Sequence, residues 1–168
     1  SFDTGGKYTF KDKEKQNPDL VEFDKLLEKQ NFEINLMLLE EAIKYIKQKD
    51  NFYPLIMATI HGNTPKEYAE YTNKVLELER KYSFKFWGFA LGGIASSKGM
   101  DDSWLTGYKK GKISKNAFVS SKATKIVHDI VGDRPIHPLG AGGYDSIDSL
   151  YENGATSFDS NTPNRRAS

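Results

Sequence analysis

The chain has 168 residues, enough for one domain with a sizeable core, and it balances 24 Lys and Arg against 23 Asp and Glu for a net charge of +1. The absence of cysteine excludes disulfides and thiolate metal sites, and three scattered histidines do not by themselves make a conventional zinc site, so catalysis falls to carboxylates, histidine, lysine or backbone. No run is apolar enough to span a bilayer and the first residues lack a secretory signal, which reads as a cytoplasmic protein with no membrane partner.

The chain opens with Ser1-Phe2-Asp3-Thr4-Gly5-Gly6, an acid after a strand-like aromatic followed by two glycines. An opening at serine inside such a motif reads as a barrel incomplete at its N-terminus. Asp19 to Asp24 is a weak strand signal that ends in an acid, and Ile34 to Gln48 carries Leu38, Leu39, Ala42, Ile43 and Ile46 at helical spacing. Pro54 to Ile60 is a continuous apolar run discharging into His61-Gly62-Asn63, which is how a parallel-sheet strand buried on both faces reads. Thr64 then caps a helix with Pro65 in its first turn that extends through Tyr82.

The same design recurs at Phe86 to Gly93 and at Pro135 to Gly143, with helices expected at Ser121 to Val131 and at Ser146 to Asn153, the latter closed by Gly154. His137, inside a strand run, reads as a packed histidine. Alternating strands and helices, with glycines or acids at the strand ends, predict a single α/β domain of the (β/α)8 TIM-barrel type, the chain covering roughly the third to eighth strands. Lys98 to Lys125 breaks the rhythm as a basic insertion in which Trp104, Tyr108 and Phe118 are interleaved with lysines, a composition that suits a phosphate backbone and its bases. Near the end, Phe158-Asp159 places a second acid after an aromatic at the end of a short strand. Asp3 and Asp159 together suggest acid/base or nucleophilic work at a glycosidic or acyl centre, with Asp159 the nucleophile candidate.

Taken in order, these strand ends resemble the tRNA-guanine transglycosylase family, which includes phage and bacterial enzymes that insert 7-deazaguanines into DNA. Ser1 to Gly6 is similar to the family's Asp-Ser-Gly-Gly motif, and Ala90-Leu91-Gly92-Gly93 to its Ala-Leu-Gly-Gly strand end. Leu139-Gly140-Ala141-Gly142 parallels its Met-Gly-Val-Gly turn, and Phe158-Asp159 through Arg165 its Phe-Asp-x-x-x-Pro-Thr-Arg. His61-Gly62 stands where the family has Gln-Gly, and Lys7 where it has a stacking aromatic. The cysteine-based zinc subdomain of the tRNA enzymes is not in this sequence.

The resemblance implies a base-exchange transglycosylase that replaces guanine in DNA with a 7-deazaguanine derivative through a covalent Asp-glycosyl intermediate. Asp159 is then the nucleophile and Asp3 the general acid/base. Asp24, His61, Gly62, Gly92, Gly93, Leu139 and Gly140 hold the base, and Arg165 with Lys109, Lys110 and Lys112 contact the polymer. No cofactor or metal is implied, and a homodimer is compatible with the reading. The alternatives are a transglycosylase acting on tRNA and an inert nucleic-acid-binding homologue.

Overall fold

A computed structural model of the chain describes residues 18–50, 54–94 and 100–159. Helix α1 (Pro18–Lys47) leads into strand β1 (Met57–Ile60), helix α2 (Pro65–Tyr82), strand β2 (Gly88–Leu91), a 3-10 turn at Asp102–Leu105, helix α3 (Lys115–Val131), strand β3 (Ile136–Pro138) and helix α4 (Ile147–Glu152). The strands form one parallel sheet in the order β1-β2-β3. None of the described helices is long and apolar enough to cross a membrane.

The expected (β/α)8 barrel is not what the described residues form. Their sheet has three strands and is open, and the segment expected to be a strand at Asp19–Asp24 is the first part of α1. The sequence explains the difference: Pro18 occupies a first helical position, and Phe23, Leu26 and Leu27 fall at helical rather than alternating spacing. The window of six residues was too short to separate a strand from a helix start.

Register explains the core. Ala58, Phe89 and Ile136 are cross-strand neighbours and all fully buried, and Ile60 and Leu91 form the next buried row. This face packs on Tyr68, Tyr71 and Val75 of α2 and Val119, Ala123 and Val127 of α3. Both crossover helices therefore lie on one side of the sheet, as right-handed crossovers between sequentially ordered parallel strands require. The alternate row, Thr59, Ala90 and His137, points to the opposite face, and its two outer members are only half-buried. Helix α1 packs on α2, with the Phe32 ring edge-on to Tyr71 at 5.0 Å and Ile43 fully buried.

Helix ends follow the expected chemistry. The Thr64 hydroxyl accepts from the Glu67 amide at 3.1 Å while the Glu67 carboxylate accepts from the Asn63 amide at 2.8 Å, a reciprocal cap on α2. With Ser114 as its cap, α3 starts at Lys115, six residues earlier than expected, so Lys115 to Lys125 of the basic stretch are helical. Gly154, at φ 109°, follows α4 as expected.

At the opposite end of the sheet from the strand C-termini, Glu79 and Arg134 form a bidentate pair at 2.6 and 2.8 Å, with side-chain exposures of 9% and 17%. Glu79 also accepts from the Phe86 amide at 2.7 Å, and Arg134 donates to the Phe86 carbonyl at 3.2 Å while lying over the Phe89 ring. One ion pair thus ties α2 to the entries of β2 and β3. Removing one member leaves the other charged and largely buried, so Arg134→Met should destabilise the protein by about 3 kcal/mol in urea denaturation. A loss under about 1 kcal/mol, the worth of an exposed pair, would show that the clamp is peripheral.

Candidate functional site

Parallel pairing delivers the ends of β1, β2 and β3 to one edge. His61-Gly62, Gly92-Gly93 and Leu139-Gly140 follow the three strands in turn. The Gly92 amide donates to the Ile60 carbonyl and the Leu139 amide to the Leu91 carbonyl, both at 3.0 Å, so the ladder continues past the strands. β1 and β3 lie two strand spacings apart, about 10 Å.

The segment after α4 completes this edge. Thr156 lies beside β3: its amide donates to the Ile136 carbonyl at 2.9 Å, and its Oγ1 accepts from the Ile136 amide at 3.0 Å. The side chain takes the place of a backbone ladder partner, which is why residues 155–159 are extended without forming the regular short strand expected there. In an extended segment, residues two apart point the same way, so Ser157 and Asp159 both reach His137.

His137 Nδ1 lies 2.6 Å from Ser157 Oγ, and His137 Nε2 lies 2.8 Å from Asp159 Oδ1. The Gly140 amide donates to the same Oδ1 at 2.9 Å. Gly140 has φ 69°, a left-handed turn that aims its N–H at the carboxylate. The Gly142 amide donates to the Asp159 carbonyl at 3.1 Å, and a Cβ on Gly142 would come within 2.9 Å of the Phe158 Cβ, so only glycine permits this approach.

Hydrogen bonding from the Gly140 amide is the largest effect on the Asp159 carboxyl; it outweighs the opposing effect of burial and, with the smaller help of His137, holds the carboxyl below the ordinary aspartate range. Asp159 is therefore ionised at neutral pH with over half of its side chain exposed, an accessible carboxylate. His61 packs against Gly92 and edge-on to Tyr71, and burial pushes its imidazole below the ordinary histidine range. A polar cleft of about 210 Å³ opens beside Gly140 between the start of α3 and the 140–146 loop.

The remaining sequence candidates fall as follows. Asp3 and Arg165 lie outside the described residues. Asp24 is on α1 rather than at a strand end, one helical turn before Glu28. Burial, followed by the neighbouring Glu67 and Asp24 carboxylates, pushes the Glu28 carboxyl up. Gly62 sits tight against the first turn of α2, where a Cβ would meet the Tyr68 amide nitrogen at 2.7 Å. The amide of Gly92, expected among the residues that hold the base, is spent on Ile60, and its carbonyl accepts from the Tyr68 hydroxyl at 2.9 Å. Leu139 is 40% exposed at the edge.

Lys109, Lys110 and Lys112 are exposed in the loop before α3, but the aromatics of the basic stretch are not free to stack on bases. Trp104 is fully buried against Tyr68 and donates to the Asn63 carbonyl at 2.8 Å. Tyr108 packs on Phe118 and donates to the Ile113 carbonyl at 3.1 Å. These rings anchor the loop and leave Lys109, Lys110 and Lys112 exposed to solvent.

His137 is the site residue that sequence reading missed. Its signal was period two: Ile136 and Pro138 face the helices, so the residue between them faces the other way, toward a carboxylate two strand positions beyond a serine. No group of three or more His, Asp or Glu side chains is placed to hold a metal ion among the described residues. Compared with known protein families, with curated proteins and with solved structures, the chain matches none.

A depressed carboxyl pKa contributes stability above the unfolded value and loses it as pH falls through the folded value. In a carbon-detected NMR titration, the Asp159 carboxyl should titrate below free aspartate. His137→Ala should move its midpoint upward without restoring the free value, because the Gly140 amide supplies the larger effect. An unmoved midpoint would mean that the His137 contact does not persist in solution.

Proposed function

We propose that the protein is a base-exchange transglycosylase that replaces guanine in DNA with a 7-deazaguanine derivative, Asp159 being the nucleophile. The observation that carries this reading is Asp159 itself: an accessible carboxylate at the C-terminal edge of a parallel sheet, held ionised by an amide and an imidazole. Base exchange with retention at C1′ needs a carboxylate that attacks and then leaves, as in retaining glycosidases. The strand-end glycines and the sequence motifs around them support the same reading.

Asp159 attacks C1′ of the target nucleotide as guanine departs, and the incoming 7-deazaguanine reverses the step. Asp3 is assigned the proton that guanine takes up and that the incoming base gives back. Asp24 is assigned the N1–H and exocyclic amine of the guanine edge, with His61, Gly62, Gly93, Leu139 and Gly140 around the ring. The nucleotide must leave the stack to reach the site, at a cost of a few kcal/mol. Lys109, Lys110, Lys112 and Arg165 hold flanking phosphates.

Ser157, His137 and Asp159 also stand in the hydrogen-bonded order of a nucleophilic serine triad, which favours acyl transfer as a second reading. Against it, the Gly140 amide nearest the cluster is engaged with Asp159 rather than placed for an oxyanion.

With full-length protein, DNA and a free 7-deazaguanine base, Asp159→Asn should lower exchange by at least about 10⁴-fold while Ser157→Ala remains active. Exchange by Asp159→Asn would end the transglycosylase reading, and loss of an esterase activity on Ser157→Ala would favour the triad. Modification of tRNA and not DNA would replace the polymer.

Reversing Lys109, Lys110 and Lys112 to Glu should weaken DNA binding for every sequence and flatten its salt dependence by about one unit of log–log slope per lost contact. An unchanged slope in fluorescence anisotropy titrations would remove these lysines from the interface.

A further inference from the structure

We infer that His137 is a positioning residue that keeps Asp159 from being trapped as its own glycosyl ester; this rests on the transglycosylase reading above. The geometry behind it is asymmetric. The Gly140 amide and His137 Nε2 both engage Oδ1, at 2.9 and 2.8 Å, and among the described residues no hydrogen bond engages Oδ2. Oδ2 is therefore the attacking oxygen.

Its lone pair forms the bond to C1′ while the C1′–N9 bond breaks, its electron pair going to N9, which takes up a proton from the general acid of the proposed exchange. In the second half, the incoming base gives its N9 proton back to that group and bonds C1′ as the C1′–Oδ2 bond breaks and its electron pair returns to the carboxylate.

Oδ1 carries half of a negative charge in the free carboxylate and only carbonyl charge in the ester. Hydrogen bonds to it are stronger in the first than in the second. The two donors therefore stabilise free enzyme relative to intermediate, making Asp159 a better leaving group at some expense to its attack. This matters for base exchange, in which the carboxylate must leave as readily as it arrives.

The ring is oriented for the task. With Asp159 ionised, Nε2 carries the hydrogen in the bond to Oδ1, and in the Nε2–H tautomer Nδ1 accepts from the Ser157 hydroxyl 2.6 Å away. Ser157 thus fixes the donating tautomer, the role that outer hydrogen bonds play for ligating histidines.

The test quenches full-length protein with denaturant during turnover on DNA with free guanine, and measures the covalently linked fraction and the rate at which free guanine chases the adduct. His137→Ala should raise the adduct fraction and slow the chase about ten- to a hundredfold, the worth of one hydrogen bond to a charged group. His137→Gln, whose amide nitrogen can take the place of Nε2, should restore both. His137→Asn, whose shorter amide reaches only the position of Nδ1, should not.

A misfolded variant gives less adduct, so a rise cannot come from structural damage. A wild-type chase rate in His137→Ala, or loss of adduct in His137→Ala with none regained in His137→Gln, would overturn the inference while Asp159→Asn remained inactive. Exchange by Asp159→Asn would instead overturn the reading beneath it.

Discussion

Parallel pairing of β1, β2 and β3 is the constraint on which the rest of the structure depends. Parallel strands joined by crossover helices must all end at the same edge, so three glycine-bearing exits meet within about 10 Å. The opposite edge is secured by the Glu79–Arg134 pair, which reaches α2 and the entries of β2 and β3 at once. Hydrophobic burial holds the helices on one face, and the register then dictates that His137 cannot join that core. A histidine on the other face of a last strand is available for chemistry.

Asp159 shows how modest effects combine. Its carboxylate is not deeply buried, and the hydrogen bond from the Gly140 amide, helped by that from His137, outweighs the desolvation that would raise its pKa. Exposure also leaves the carboxylate accessible from solvent. A buried carboxylate with the same partners would pay more to ionise and admit only a small molecule. The extended segment that carries it is held by Thr156 on β3, by the Gly142 amide on the Asp159 carbonyl and by Phe158 packed against Ala141 and Leu150.

The three strands and the start of α2 were legible in the sequence because each has a strong local cause: apolar runs ending at glycine, and a Thr-Pro-x-Glu cap. Asp159 was legible as an acid beyond a packed aromatic. The barrel was not a safe step from these signs, because sheet closure depends on strands whose pairing no local pattern encodes, and the Asp19–Asp24 window is the head of a 30-residue helix. The aromatics of the basic stretch misled for a related reason: Trp104 and Tyr108 look available in sequence, and only tertiary packing buries Trp104 and seats half-buried Tyr108 on Phe118. His137 was hidden because a strand of three residues is too short to display its alternation.

The central claim is that Asp159 bonds to the sugar. Peptide mapping by mass spectrometry of a reaction with DNA, quenched in denaturant, tests it most directly. The account predicts a nucleotide adduct on the peptide containing Phe158-Asp159, with fragment ions placing it on the aspartate. Base exchange that proceeds with the adduct on another residue would contradict it.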